Sequence, residues 1–393
     1  MFSKKKSYIY WKRYPIAMKN TLLFLCFFFI FISCNKADVS IDTDEENELT
    51  LLEVASNYAN KASWIERSEM KSRNGNAMGY GVYLNPNSKK LAIFLDGGGA
   101  CFNGFTCNNN RDSYSKDDFL NRIASENALI INRNSDKNQF KDWNFVFVPY
   151  ATGDVHSGSN VSANVPNAGP ENQKMVGYNN FTLVLKDLKS YFETNGGITE
   201  IVFMGSSAGG FGVLSNTLQL ADIVAKNIPT TVIVDAGQIF MDEMLLTSCL
   251  ANEWETLWNF NSFLPEDLDQ TVQKTYNYNI QKIYEYLSVK LPDFNFGFLS
   301  YYEDATNRGF YSFGQNECAY FPSRIVSGEA FKKGLLDLKT TVLDDLENWK
   351  VFYVNGESHT FLSDENLDQT VNNTSLNDWM AQLRKGNALN VAD

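Results

Sequence analysis

Histidine is almost absent from this chain: there are two in 393 residues, His156 and His359. Any chemistry that needs an imidazole has only these candidates, and a histidine-rich metal site is set aside. Six cysteines are present, but no Cys-x-x-Cys occurs and neither histidine lies beside a cysteine, so a structural zinc site is set aside too. Cations are in deficit. The 34 Lys and Arg against 46 Asp and Glu give a formal charge of −12, the wrong sign for a nucleic-acid partner. Internal repeats are lacking, as are Gly-x-Gly-x-x-Gly and a Lys placed after glycines as a P-loop requires, so neither phosphate-cradling motif applies.

What the chain does have is Ile201-Val202-Phe203-Met204-Gly205-Ser206-Ser207-Ala208-Gly209-Gly210, an apolar run that breaks into Gly-x-Ser-x-Gly. Phe211 to Leu218 follows with apolar residues at helical spacing, which completes the strand, turn, helix order of a nucleophile elbow. Glycines two before and two after Ser207 are needed because a Cβ there would strike the neighbouring backbone. Serine is a poor nucleophile at neutral pH and needs a base. His359 follows the strand-like run Trp349 to Val354 and a turn, Asn355 to Ser358; His156 lies in Tyr150 to Gly158 after the run Phe145 to Pro149. Position at a strand's C-terminal end favours His359. α/β-hydrolases order their triad Ser, acid, His, which confines the acid to the interval between them. Asp235, ending Thr231 to Val234, and Asp304, ending Phe296 to Glu303, both qualify, and the later strand favours Asp304. Leu91 to Leu95 followed by Asp96-Gly97-Gly98-Gly99-Ala100-Cys101 supplies a glycine-rich turn whose backbone N–H groups can face an oxyanion, with Ala208 giving the second donor. Gly98, Gly99 and Ala208 are the candidate hole.

These pieces together resemble the pectin acetylesterase and Notum carboxylesterase family of α/β-hydrolases. Leu95 to Cys101 is close to the family's Leu-Glu-Gly-Gly-Trp-x-Cys. Asp-Val-x-Ser-Gly within Tyr150 to Gly158, Gly205 to Gly210, and Asp235-Ala236-Gly237 with Phe240 follow in order; Tyr302-Glu303-Asp304 looks like the acid segment and Ser358-His359 like the histidine region. The resemblance covers roughly residues 90 to 360. It implies Ser207, Asp304 and His359 as the triad and Gly98, Gly99 and Ala208 as oxyanion donors, acting without a metal or organic cofactor. Two positions depart from the pattern: Gly99 stands where the family has an aromatic residue, and Ala151 where it commonly has a cysteine.

Lys4, Lys5, Lys6, Lys12, Arg13 and Lys19 precede the apolar run Leu22 to Ser33, a pattern of an export signal too short to span a bilayer comfortably. Met18-Lys19-Asn20 with that run already makes a complete short signal. Phe31-Ile32-Ser33-Cys34 resembles a loose bacterial lipobox, so residues 1–34 read as a signal, Cys34 as the lipidated anchor to a membrane, and the acidic stretch 35–50 as a tether. Export permits disulfides. Cys26 and Cys34 fall in the signal, and the remaining four cysteines allow three pairings, of which Cys101 with Cys107 and Cys249 with Cys318 is the expectation on proximity. Strand-like runs alternate with helical stretches such as Phe181 to Phe192 and Glu329 to Leu346, which predicts one α/β domain over 51–393 with a mostly parallel sheet. The aromatic-rich segment 250–294 breaks that rhythm and is expected to be a helical cap lining the pocket, with an aromatic core layer as the alternative.

The expected activity is hydrolysis of a carboxylic ester, with deacetylation of a glycan foremost and a Notum-type lipid-acyl ester as the alternative. A binding protein for glycans or lipids on a hydrolase scaffold is the rival from another class. A strongly anionic polymer such as pectin would prefer a basic groove, and few cations lie beside these motifs, Arg111 and Arg308 being the nearest.

Overall fold

The apolar runs spaced between amphipathic stretches become neighbours in one sheet. In the computed structural model, which describes residues 48–125, 130–363 and 366–392, nine strands form it: β1 Ala62–Lys71, β2 Ala77–Tyr83, β3 Lys90–Leu95, β4 Asn144–Val148, β5 Glu200–Ser206, β6 Thr230–Asp235, β7 Asn295–Tyr301, β8 Trp349–Val354 and β9 Val391–Ala392. Their spatial order is β1-β2-β4-β3-β5-β6-β7-β8-β9. β2 runs antiparallel to β1 and β4, and every other pairing is parallel. Parallel strands are covered on both faces and so read as continuous apolar runs rather than alternating ones. All residues of β4 and β6 are buried accordingly.

β3 and β5 are adjacent, with β4 on one side of the pair and β6 on the other. Strand order reverses there, and open α/β sheets bind their ligands outside the carboxyl ends of the strands at such a point. The turn Asp96 to Cys101 leaves β3 and Ser207 leaves β5 at that place. The helix that follows Ser207, Ala208–Ile223, packs on β5, on β6 and on the helix Gly177–Thr194. Glycines on both sides of Ser207 make the approach close: a Cβ on Gly209 of the helix would lie 2.0 Å from the Leu95 carbonyl oxygen, and one on Gly205 of β5 would lie 2.4 Å from the Gly209 carbonyl oxygen.

The aromatic segment 250–294 divides between two settings. Its first helix, Ser248–Trp258, stacks Trp254 on Trp258 at 5.6 Å between ring centroids. Its last, Ile283–Lys290, buries Tyr284 against Trp349 of β8, edge-on at 5.3 Å. So the front of the segment faces the carboxyl end of the sheet, and the back is a core layer. Two disulfides, Cys101–Cys107 and Cys249–Cys318, tie the turn after β3 and the start of the aromatic helix to their surroundings. The signal, Cys34 and all of the tether before Glu48 lie outside the described residues.

Gly209→Ala is expected to lose more than about 3 kcal/mol of stability or to yield no folded protein, because backbone rather than a movable side chain blocks the added methyl. Gly309→Ala, where nothing lies within 4 Å of the added methyl in the helix Ala305–Tyr311, should be neutral or gain about 0.4–1 kcal/mol. Urea midpoints of both variants against the parent check the pair, and near-parent stability of Gly209→Ala would overturn the packing argument.

Candidate active site

Ser207 occupies φ 56, ψ −120, a conformation that costs a non-glycine residue on the order of 1–3 kcal/mol. Its own N–H donates to the Asp235 carbonyl at 2.8 Å, which fixes the turn. Although it stands at the helix N-cap position, its hydroxyl makes no capping bond. It points instead to His359, whose Nε2 lies 2.7 Å from Oγ. The other ring nitrogen, Nδ1, lies 2.7 Å from Asp304 Oδ2, and since a carboxylate only accepts, Nδ1 carries the proton in this pair.

Asp304 is completely buried and begins the helix Ala305–Tyr311. Its Oδ1 accepts the Asn307 backbone N–H at 2.9 Å and its Oδ2 accepts Asn307 Nδ2 at 3.1 Å, while that same amide also donates to the Ala236 carbonyl at 2.9 Å. Asn307 thus ties the carboxylate to the end of β6. Sequence reading did not single it out, though an Asp-x-x-Asn at a helix start is a capping pattern that could have drawn notice.

Asp235, the other candidate acid, makes no bond to the histidine ring. Its Oδ2 accepts Ser206 Oγ at 2.8 Å and the backbone N–H groups of Phe361 and Leu362, each at 2.9 Å. It therefore joins the strand carrying Ser207 to the loop carrying His359. Burial pushes its pKa up to about 7 against the pull of those donors and of His359.

His156 is buried and bonds elsewhere: its Nε2 lies 2.9 Å from the Asp96 carbonyl oxygen and its ring rests on Tyr150 at 4.8 Å. A carbonyl cannot donate, so Nε2 does. Burial pulls its pKa down to about 4, which keeps the ring neutral at physiological pH. Asp154 holds the same segment by accepting from Thr152 Oγ1 at 2.5 Å and the Gly177 N–H at 2.7 Å. The His156 segment is the support beneath the glycine turn.

Asn110 Nδ2 donates to the Gly98 carbonyl at 2.6 Å. In a trans peptide the N–H points opposite the C=O, so the Gly99 N–H is turned away from Asn110. Gly99, Ser207 and Ala208 line one cavity; Gly98 lines an adjoining polar cleft together with Ser207 and His359. Ala208 opens its helix, where N–H groups lack intrahelical partners. Gly99 has φ +83, and a Cβ on it would lie 3.0 Å from Phe310 Cζ, so Phe310 fills the space into which a side chain at position 99 would project. The cavity measures about 30 Å³ and is walled by Phe211, Trp254, Trp258, Phe310 and Tyr311. The cleft on the other side of Ser207 measures about 770 Å³.

Such an arrangement can activate a hydroxyl through an oriented imidazole and present backbone donors to a developing anion. A family model described as pectinacetylesterase matches residues 71–294, more than half of the chain. The chain is similar to the palmitoleoyl-protein carboxylesterase NOTUM of Schmidtea mediterranea, 29% identical over 177 residues that cover 42% of this chain and 31% of that protein. It is likewise 27% identical to notum2 of Xenopus laevis over 237 residues, covering 54% and 46%. It spans less than half of the length of these curated relatives, 31% and 46%. Another, notum1b of Danio rerio, 26% identical over 108 residues, is named as inactive. The solved structure of the Wnt deacylase Notum from Drosophila superposes with a TM-score of 0.60 at 18% identity, covering 85% of this chain and 96% of that one, which makes the fold an α/β-hydrolase fold.

Asp235→Ala would leave two backbone N–H groups and one hydroxyl buried without an acceptor, at about 1–3 kcal/mol each. The expected loss is about 3 kcal/mol or more by urea midpoint, and less for Asp235→Asn, which keeps an acceptor oxygen. A carboxyl raised on folding binds its proton more tightly in the native state, so its contribution declines as pH climbs from 3.8 towards 7 and is flat above. Parent stability should therefore fall more steeply across that window than that of Asp235→Asn; equal slopes would overturn the assignment.

Proposed function

Because the chain belongs to the pectinacetylesterase family, we propose that it is a serine carboxylesterase acting through Ser207, His359 and Asp304, and that it removes short acyl groups, foremost acetyl, from a glycan. The observation that carries the reading is the unbroken series from Ser207 Oγ through His359 to the buried Asp304, at 2.7 Å per link. His359 Nε2 takes the Ser207 proton as Oγ attacks the ester carbonyl. Asp304 holds the ring's tautomer and offsets the positive charge that the ring acquires. The tetrahedral anion is received by backbone N–H groups of Gly98, Gly99 and Ala208, with the N-terminal end of the helix Ala208–Ile223 adding its positive dipole. The protonated ring then gives its proton to the leaving alcohol. Water, deprotonated by the same imidazole, attacks the acyl-serine and releases the acid.

The size of the acyl cavity supports a short acyl group. Its aromatic walls close round a small group such as the methyl of acetate, whereas the long chain named for the Notum relatives would need further space such as the apolar cavity of about 500 Å³ that shares Gly99, Ala100 and Phe310 with it. Export is supported by the two disulfides, and lipid attachment at Cys34 is proposed on the lipobox-like sequence alone.

Purified protein should hydrolyse p-nitrophenyl acetate faster than the octanoate, and Ser207→Ala should remove about 10³-fold or more of that rate. Turnover that survives in Ser207→Ala would overturn the nucleophile. No turnover by the parent, together with no labelling by a fluorophosphonate, would support a binding protein instead. Trp254→Ala, which removes a wall of the cavity, should raise the octanoate-to-acetate rate ratio about tenfold or more; an unchanged ratio would mean that the acyl group lies elsewhere.

A further inference from the structure

The alcohol half of the ester must leave on the side of Ser207 away from the acyl cavity, into the cleft of about 770 Å³ that Ser207, His359 and Gly98 share. Among the described residues its lining holds two cations, Arg111 and Arg122, and two carboxylates, Asp96 and Asp118. Each cation has a carboxylate beside it. Arg111 Nη1 lies 2.9 Å from Asp118 Oδ1, and the guanidinium rests over the Tyr114 ring at 4.9 Å. Arg122 Nη2 lies 3.6 Å from Asp96 Oδ1. Asp118 is held in turn by the N–H and hydroxyl of Ser115, at 2.9 and 2.7 Å, as the capping box of the helix Lys116–Ala124. The formal charge of the four groups sums to zero, inside a chain whose formal charge is −12.

A polyuronate brings a carboxylate on nearly every sugar. In this cleft it would lie beside Asp118 and Asp96, whose charges offset those of Arg111 and Arg122, and it would approach against the overall negative field. Sugar hydroxyls have the opposite requirement, since each both donates and accepts. Carboxylate oxygens, guanidinium N–H groups, the Asn121 amide and the Thr306 hydroxyl offer both kinds of partner. We propose that the alcohol of the ester is a neutral, hydroxyl-rich acetylated glycan and that Asp118 and Asp96, by offsetting the charges of Arg111 and Arg122, disfavour polyuronates. The inference rests on the ester-hydrolase reading above and adds the substrate class.

The test compares acetate release from acetylated xylan, a neutral polymer, with release from acetylated polygalacturonate at low salt, with p-nitrophenyl acetate and Ser207→Ala run alongside. The expected result is a kcat/KM per acetyl group at least about tenfold higher on the neutral polymer. Asp118→Asn, which frees Arg111 and keeps a residue able to cap the helix, should raise the polygalacturonate-to-xylan ratio at least about threefold, and adding Arg111→Gln to that variant, which makes the pair neutral again, should return the ratio to the parent value. A preference for polygalacturonate by the parent, or a ratio unmoved by Asp118→Asn, overturns the proposal. Cleavage of neither polymer while p-nitrophenyl acetate is cleaved in a Ser207-dependent way also overturns it and leaves the esterase standing. Absence of Ser207-dependent cleavage of p-nitrophenyl acetate removes the esterase reading itself, and the substrate proposal with it.

Discussion

The conformation of Ser207, at φ 56 and ψ −120, must be held against its own strain, and the centre of the molecule is arranged around doing so. The elbow can form only if the helix behind it comes within backbone contact of β3, since Gly209 has no room for a methyl beside the Leu95 carbonyl. That contact places Ser207 directly beside the turn that leaves β3: a Cβ on Gly97 would lie 2.8 Å from the Ser206 carbonyl oxygen. One close approach therefore sets both the exposure of the hydroxyl and its distance from the glycine turn. The strain is small beside what the elements on either side bury, with every residue of β6 and all but the first of β5 out of contact with water.

The two carboxylates around this point are buried, and each is held by hydrogen-bond donors. Asp304 is fixed by Asn307, Asp235 by Ser206 and the His359 loop, and the Asp96 carbonyl by His156. A buried carboxylate without such donors would be costly, and one with them resists displacement. The two acids thereby take separate tasks. Asp304 faces the ring and can stabilise its charge, whereas Asp235 spends one oxygen on three donors and controls where the loop sits. Preorganisation of this kind lets donors meet a developing charge without moving.

The strands, the elbow and the histidine were legible because each has a local signature: apolar runs, glycines at fixed offsets, and a residue type present only twice. Local pattern could not separate Asp235 from Asp304, since both end a strand on the same edge of the sheet. The outcome depends on the path of the loop after β8, which turns its backbone N–H groups to one acid and its ring to the other. Asn110 was invisible for a related reason, since it acts on a group 12 positions away and a single amide leaves no periodic trace. Asn307 carries a local sign in its spacing from Asp304, but its bond to the Ala236 carbonyl, 71 positions away, leaves none. The segment 250–294 was read as one unit from its aromatic content, yet the same residue types serve a cavity wall at Trp254 and a core layer at Tyr284. Burial by apolar packing looks alike in sequence whatever it encloses.

The narrowness of the acyl cavity and the position of the glycine turn are mechanically one feature. Trp258 is fully buried, and its indole N–H donates to the Cys101 carbonyl at 3.0 Å, at the end of that turn. The same cysteine is bridged to Cys107, and its N–H donates to the Gly153 carbonyl at 2.7 Å, within the segment that carries His156. Trp254 stacks on Trp258, and Phe310 stands over Gly99. A group that pushed the stacked indoles apart would pull, through Trp258, on the backbone that flanks the candidate oxyanion donors. Enlarging the cavity on that side therefore disturbs the glycine turn as well as the packing, so the shape of the cavity and the position of the candidate donors are coupled by one hydrogen bond.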